Sequence, residues 1–311
     1  MSRVFKEYFG DDEMKLSLRE HTVSSVLLEE FGESLKSIKV PSSRGCINEV
    51  YCYETDKRRF FVKINQKQSA GAFSAEFQGL ESLRATRTIR VPQPYCFGDF
   101  PGGGAYLIME YIPMKRIGLE ALEKLGSQLG GLHALKKENR FGFHMDNTIG
   151  GTPQRNDWSF DWVRFFSFHR LKHQLDLVDN ILEDPAIRDS GNELLDILPK
   201  FFEGIEISPS LLHGDLWSGN VGMDEEGLPV VYDPAVYYGH SEAELSIMEM
   251  FGGFPERFYT AYRRFLPKQE GEEERVLLYK LYHYLNHLNL FGSSYYSQSL
   301  SIIKTLISIH K

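Results

Sequence analysis

Between residues 49 and 65 the chain carries two short runs, EVYCYET (49–55) and RFFVKIN (59–65), rich in β-branched and aromatic residues and parted by Asp56, Lys57 and Arg58. Such runs on either side of a polar turn predict a β-hairpin. From about Ala70 the period changes: Phe73, Phe77, Leu80 and Leu83 recur at intervals of three and four, which predicts a helix with one apolar face. VPQPYCFGDFPGGGAYLIMEYI then reads as a Pro-marked connection, a strand, a turn at Gly102–Gly104, and a second strand ending near Ile112. After Pro113 helical periods dominate. Leu122, Leu125, Leu129 and Leu132 form one stripe, and Leu277, Leu281, Tyr284 and Leu288 predict a long late helix. One β island interrupts them: LLHGDLWSGNVGM, a turn at Asp224–Gly227, then LPVVYDPA.

The pattern predicts an α+β protein of two lobes, a sheet-rich one over residues 1–112 and a mainly helical one over 113–311. A site between them is the expected place for chemistry. The composition fits a soluble globular chain: 42% hydrophobic and 25% charged residues in 311. A formal net charge of −8 argues against nucleic acid as a partner. No apolar run approaches the roughly 18 residues that span a bilayer, so no membrane partner is expected. The start, MSRVFKEYFGDDEMKLSLREH, lacks the apolar segment of a secretion signal. The three cysteines, Cys46, Cys52 and Cys96, have no metal-ligand spacing and suit a reducing compartment. A cytoplasmic protein is expected.

The β island carries the candidate chemistry. His213, Gly214 and Asp215 are followed five positions later by Asn220, the spacing of a protein-kinase catalytic loop. There the Asp accepts the proton of an attacking hydroxyl and the Asn offers a neutral oxygen to Mg²⁺. The same residues also suit an ordinary turn. Thirteen positions on, VVYDP ends a strand on Asp233, where a kinase places the carboxylate that chelates Mg²⁺ on the phosphates. The tripeptide is Asp-Pro-Ala rather than Asp-Phe-Gly, and no Ala-Pro-Glu follows, which argues against a protein substrate docked along an activation segment.

In FFVKIN, Lys63 sits among Phe60, Phe61, Val62 and Ile64, where a charge is costly unless paired. Either it is an exposed edge-strand lysine or it holds the α- and β-phosphates of ATP, with Glu76 on the following helix as its partner and Glu81 as the alternative. Ser42, Ser43, Arg44, Gly45, Cys46, Ile47 and Asn48 precede the hairpin, a stretch whose small residues let backbone N–H groups approach phosphate oxygens. The backbone at Glu110 and Ile112, near the predicted lobe junction, either hydrogen-bonds adenine or is a plain buried strand end. These pieces appear in the order of a bilobal protein-kinase-like fold, with an N-terminal antiparallel sheet, a regulatory-type helix and a helical C-terminal lobe.

The strings GCINEVYCYETD, FFVKIN, FGFH, HRLKHQLDL, HGDLWSGN, YDPAVYYGHSEAEL, MFGGFP and YLNHLNLFG together resemble the fructosamine/ketosamine 3-kinase family, a branch of the aminoglycoside-phosphotransferase-like kinases. The resemblance runs from Gly45 to about Gly292. It implies ATP- and Mg²⁺-dependent phosphorylation of the third-carbon hydroxyl of ketosamines, on free amines or protein lysines, whose decomposition then frees the amine. It also implies Asp215 as base, Asn220 and Asp233 as Mg²⁺ ligands, Lys63 with Glu76 as the phosphate-positioning pair, and Gly45 in the phosphate loop. Ser42, Ser43 and Arg44 depart from that loop's usual glycines. Trp217 either walls the sugar adduct or anchors the loop in the core, and His240 is a further candidate substrate contact. Cys46 is either an inert thiol or a redox switch, so a monomer or a redox-dependent homodimer is expected. Rival readings are another small-molecule kinase of the same fold, for an aminoglycoside or a choline-like alcohol, and a nucleotide-binding pseudokinase. His283 and His287, four apart, are read as helix packing rather than a metal pair, and Phe251–Phe254 as a tight helix–helix connection.

Overall fold

The computed structural model describes residues 11–40, 48–67 and 69–310. The chain forms two compact units, Met1–Phe77 with Pro92–Ile112, and Gln78–Val91 with Pro113–Lys311. A single division at residue 112 therefore misplaces Gln78–Val91, which packs within the second unit: Gly79 lies against Val236, and Arg90 bridges to Val230.

The first unit follows the order α1 (Asp11–Phe31), β1 (Leu35–Lys39), β2 (Glu49–Thr55), β3 (Arg59–Asn65), the start of α2 (Ala70–Arg84), β4 (Pro94–Asp99) and β5 (Ala105–Glu110). Among the described residues its sheet has the strand order β1-β2-β3-β5-β4, with every neighbouring pair antiparallel. The predicted hairpin is β2–β3, with Tyr53 opposite Phe60 and Val50 opposite Lys63. Because β3 is central, with β5 on its other side, it reads as a nearly unbroken apolar run. Phe60, Val62 and Ile64 are buried with Tyr53, Phe100, Tyr106 and Ile108 against Val23 and Leu27 of α1. Strand alternation turns Lys63 to the opposite face.

α1 and β1 have no counterpart in the sequence periods. Among the residues of α1 whose burial is described, 18–31, Val23 and Leu27 are the fully buried ones, too few among polar neighbours to give a stripe.

The second unit continues with α3 (Leu119–His133), the β6–β7 hairpin (Asn147–Ile149, Thr152–Gln154), and α4 (Trp162–Phe166). The last runs through a π-helical turn, Ser167–Lys172, into α5 (His173–Leu182) and is followed by α6 (Pro185–Ile197). The β island then gives β8 (Ser210–Leu212), β9 (Val221–Met223), β10 (Pro229–Val231) and β11 (Tyr237–Gly239), before α7 (Ser241–Met250), α8 (Glu256–Arg263), α9 (Glu272–Phe291) and α10 (Tyr296–Ile309). α3 buries the predicted Leu122, Leu125, Leu129 and Leu132. α9 differs: Leu278, Tyr282 and Leu285 are buried with Leu281 and Leu288, while Leu277 and Tyr284 are half-buried. α9 packs against α5, α7 and α10, so its burial wraps round more than one face and no single stripe marks it.

The island is two ribbons rather than one hairpin. β9 pairs with β10, while β8 pairs with β11, Leu212 opposite Tyr237. The loop from His213 to Asn220 thus leaves one ribbon and enters the other. Among the described residues no helix is long and apolar enough to cross a membrane.

Candidate active site

In the first unit the Lys63 side chain is 5% exposed, and its Nζ donates to Glu76 Oε1 at 2.6 Å. An ammonium group this buried requires an anion close by. Glu81 does not serve: it lies five residues, about 140°, further round α2, where it is half-buried and 3.9 Å from Arg84. The end of β5 is closed by Gln93, whose carbonyl accepts the Glu110 N–H at 2.8 Å and whose N–H donates to Glu110 Oε2 at 3.1 Å. Ile112 follows, buried. Gly45 and Cys46 lie outside the described residues. Asn48, just after them, accepts from Asn65 Nδ2 at 2.8 Å.

In the second unit β8 delivers His213, Gly214 and Asp215. The ring of His213 is fully buried and bonded at both nitrogens: Nε2 lies 3.0 Å from the Tyr232 carbonyl, and Nδ1 accepts the Asp215 N–H at 3.3 Å. These two partners assign the proton to Nε2. Burial pushes the His213 pKa down, so the ring is a neutral brace with no nitrogen left for base chemistry.

Asp215 is half-buried. Asn220, in the 3₁₀ turn Ser218–Asn220, donates Nδ2 to the Asp215 carbonyl at 2.8 Å and to Asp215 Oδ2 at 3.2 Å. The spacing of five is what lets this turn fold back on the carboxylate. With Nδ2 so engaged, the amide oxygen of Asn220 points away from Asp215. Burial first, then the charge of Asp233, hold the Asp215 carboxyl well above the usual range, and the Asn220 hydrogen bond opposes them. Asp233 is exposed, has φ +58°, and lies just past β10, after Tyr232. Its strand is tied to the loop: Tyr232 N–H donates to the Asn220 carbonyl at 3.1 Å, and its hydroxyl donates to the Gly219 carbonyl at 2.8 Å.

The chain then turns back across the loop. Ala235 N–H donates to the His213 carbonyl at 2.8 Å, and the Ala235 carbonyl occupies the space that a Cβ on Gly214 would need. The β6–β7 hairpin supports the crossing. Asn147 Nδ2 donates to the Val236 carbonyl at 2.8 Å, and Gln154 Nε2 donates to the Ala235 carbonyl at 3.3 Å and to Asn147 Oδ1 at 2.8 Å. From below, Glu244 of α7 accepts the N–H groups of His213 and Gly214. Asn147, Gln154 and Glu244 escaped the sequence reading. They lie 30 residues or more from the backbone groups they hold and belong to no spacing motif, although Glu244 falls inside the string YDPAVYYGHSEAEL.

Other expected residues sort by burial. Trp217 is half-buried, covers Gly219, and packs on Phe251 with ring centres 4.9 Å apart. His240 is corrected from a substrate contact to a core residue. Its side chain is 4% exposed, Nδ1 is 2.8 Å from the Tyr279 hydroxyl, and burial brings its pKa to about 3. His283 is buried, and the Nδ1 of His287 lies 2.7 Å from the His283 carbonyl. Among the described residues no cluster of three or more His, Cys, Asp or Glu side chains is arranged to hold a metal. Phe251–Phe254 connects α7 to α8.

Residues 19–309 match the fructosamine kinase family. The chain is 45% identical over 299 residues to a chloroplastic protein-ribulosamine 3-kinase of Oryza sativa subsp. indica, covering 95% of this chain and 86% of that protein. To the ketosamine-3-kinase of Mus musculus it is 40% identical over 309 residues, 91% and 99% of the two chains. Among solved structures, a Haemophilus somnus 129PT protein proposed to be a fructosamine-3-kinase matches with TM-score 0.85 and 27% identity over 94% of this chain and 99% of that one. An aminoglycoside phosphotransferase matches with TM-score 0.58 and 16% identity over 92% and 99%, a likeness of fold alone. The five-stranded antiparallel sheet of the first unit and the mainly helical second unit are those of a protein-kinase-like fold. With 291 of its 311 residues inside the family match (19 through 309), this chain belongs to the fructosamine kinase family.

Proposed function

We propose that this protein transfers the γ-phosphoryl group of ATP to the third-carbon hydroxyl of a ketosamine, the adduct left when a sugar glycates an amine. Decomposition of the phosphorylated adduct frees the amine, so the reaction serves deglycation. The observation that carries the reading is Asp215: a half-buried carboxyl with a raised pKa, held by Asn220 and facing Asp233. A carboxylate of raised pKa is a stronger base towards the substrate hydroxyl at neutral pH. In this reading Asp215 aligns that hydroxyl and takes its proton. Asn220 fixes the carboxylate, and His213 holds the loop without itself exchanging a proton. Lys63, held by Glu76, pairs with the α- and β-phosphates. The Glu110 carbonyl and Ile112 N–H receive adenine, and backbone N–H groups around Gly45 and Cys46 meet the phosphates.

The Asn220 oxygen and the exposed Asp233 carboxylate are hard oxygen donors that fit Mg²⁺, the remaining ligands being phosphate oxygens and water. When bound, the ion neutralises charge on the phosphates. The Asp–Asp repulsion felt at Asp215 is the kind a cation relieves. Trp217, beside the base, is the proposed wall for the sugar. The reaction is placed in the cytoplasm, a reducing compartment in keeping with the unpaired Cys52 and Cys96.

The test is turnover with Mg-ATP and lysine carrying ribulose, erythrulose, psicose or fructose, reading ADP release and the phosphorylated carbon by NMR. Failure on all four adducts overturns the substrate assignment. Asp215→Asn is expected to cost about 10²–10⁴-fold in kcat while ATP affinity stays within a few-fold.

A further inference from the structure

Three strings, HGDLWSGN, MFGGFP and YLNHLNLFG, lie far apart in the sequence, and the phosphoryl-transfer reading uses only the first. The second unit brings them together. Trp217 of the loop packs on Phe251 with ring centres 4.9 Å apart, and Phe251 packs on His287 of α9 at 5.4 Å. His287 in turn meets Phe291 at 5.4 Å and Tyr295 at 5.2 Å. The result is a run of rings that starts two residues past Asp215. Core packing does not account for it, because Phe251 is 37% exposed and Phe291 58%. Phe251 ends α7 and is held there by the turn that follows: Gly252 and Gly253 have φ +97° and +72°, and the Gly253 N–H donates to the Met248 carbonyl at 2.9 Å.

His287 gives this run a polar point. Its Nδ1 lies 2.7 Å from the His283 carbonyl, and a carbonyl only accepts, so the ring proton sits on Nδ1. Burial pushes the His287 pKa down, opposed in part by that same hydrogen bond, so the ring is neutral near pH 7. Nε2 is therefore a bare acceptor. No donor among the described residues meets it, and the side chain is half-buried rather than sealed in the core. An acceptor lone pair set among ring faces repels carboxylate and phosphate oxygens. It suits a cation that carries its own N–H, drawn to the rings and bonded to the imidazole.

A ketosamine presents such a group. Its nitrogen is a secondary amine, protonated at neutral pH. Three bonds of about 1.5 Å separate it from the third carbon, so it lies about 4 Å beyond the reacting hydroxyl. We propose that this secondary ammonium sits against Phe251 and donates its N–H to Nε2 of His287, so that the run of rings tells a ketosamine from the bare sugar. The proposal rests on the ketosamine reading and adds to it the residue that recognises the amine. No bond is made or broken at His287, which stays neutral, so its loss acts on substrate binding and not on the chemical step.

Calorimetry with two probes tests this: the propylamine adduct of ribulose, and its ether isostere, in which oxygen replaces the protonated nitrogen. The ether keeps the length and the sugar but loses the charge and the N–H. The parent is expected to bind the amine more than about tenfold tighter than the ether, the factor carried by one hydrogen bond to a charged group. His287→Phe keeps the ring stack and removes Nε2. Its preference falls to within about threefold, through weaker binding of the amine alone. In turnover the KM for the amine rises by the same factor, while kcat and the KM for ATP stay within about threefold of the parent. If thermal melting shows that His287→Phe does not fold, Phe251→Leu decides. It removes the ring beside the ammonium and lowers the preference at least about threefold.

A parent that binds amine and ether alike overturns the proposal and leaves the ketosamine reading standing. A folded His287→Phe that keeps the parent's preference overturns it too. So does one that weakens both probes by the same factor, as loss of a sugar-hydroxyl contact or of packing would. Where that variant fails to fold, an unchanged preference in Phe251→Leu has the same force. A parent that binds neither probe overturns the ketosamine reading, and the role of His287 falls with it.

Discussion

Gly214 and Gly227 allow the loop geometry to be tested with one methyl group. Both have positive φ, +84° and +80°. Ala at either position carries the left-handed backbone penalty of about 1 kcal/mol. At Gly227, in the Asp224–Gly227 turn, an added Cβ meets nothing within 4 Å, so the penalty ends there. At Gly214 the Cβ would run into the Ala235 carbonyl oxygen. Ala235 cannot simply retreat, because its N–H is bonded to the His213 carbonyl at 2.8 Å and its carbonyl accepts from Gln154. Overpacking against fixed backbone adds about 1–3 kcal/mol. Gly214→Ala is therefore expected to lose about 2–4 kcal/mol, and Gly227→Ala about 1 kcal/mol. By thermal melting these correspond to roughly 5–12 °C and 2–4 °C. Activity separates them further: displacing the residue before Asp215 by about 1 Å costs on the order of 100-fold in kcat, whereas Gly227→Ala turns over like the parent. Equal losses of Tm in the two variants, or parent kcat in Gly214→Ala, would refute the crossing of Ala235 over the loop as the constraint.

Two further outcomes follow from buried groups. His240 and His283 are buried with pKa values near 3 in the folded protein, against about 6.5 when unfolded. Burial comes first for both. Arg275 and His133 also depress His240, with Glu242 3.8 Å away, and His287 also depresses His283. The unfolded chain therefore binds more protons between about pH 3 and pH 6.5. Their contribution to stability is complete above pH 6.5 and falls as pH drops, by about 2 kcal/mol each at pH 5. Urea titrations at pH 7 and pH 5 check this, with His283→Gln expected to remove about half of the slope from this pair; equal stability of the parent at the two pH values contradicts it. Lys63→Met is expected to raise the KM for ATP more than about tenfold, since it deletes a charge proposed to meet the phosphates; calorimetry showing unchanged ATP affinity would remove Lys63 from the nucleotide site.

What the sequence reveals follows from how local each signal is. The β2–β3 hairpin and α3 are visible because one face of each carries its own burial pattern over a few residues. α1 is hidden because, over its described side chains from residue 18 on, Val23 and Leu27 alone are fully buried, and the α9 stripe is misread because several helices surround it. The same holds in the site. Asp215 and Asn220 can be read together because five residues of chain are enough to bring an amide back onto a carboxylate. Lys63 can be matched to Glu76 because a helix following a strand offers few carboxylates, but choosing Glu76 over Glu81 takes the rotation of α2. Pairing of β8 with β11 rather than with the β9–β10 ribbon is a long-range choice, and no local pattern announces it.

The three carboxylates around the loop show why identity alone does not give role. Asp215, Asp233 and Glu244 are chemically near-equal, and each stands in the same 30-residue stretch. Glu244 is the most buried, yet it is met by two peptide N–H groups and faced by His133, so its lone pairs are occupied in holding the chain. Asp233 is exposed to water, where a carboxylate is well solvated. Asp215 has neither advantage in full. It is partly withdrawn from water, has the Asn220 amide as support, and feels both other carboxylates, which raise its affinity for a proton together with its burial. A carboxyl whose affinity for a proton is raised suits the role proposed for Asp215, taking the proton of an attacking hydroxyl. The motif names Asp215, and the unequal support of its two neighbours supplies the physical reason.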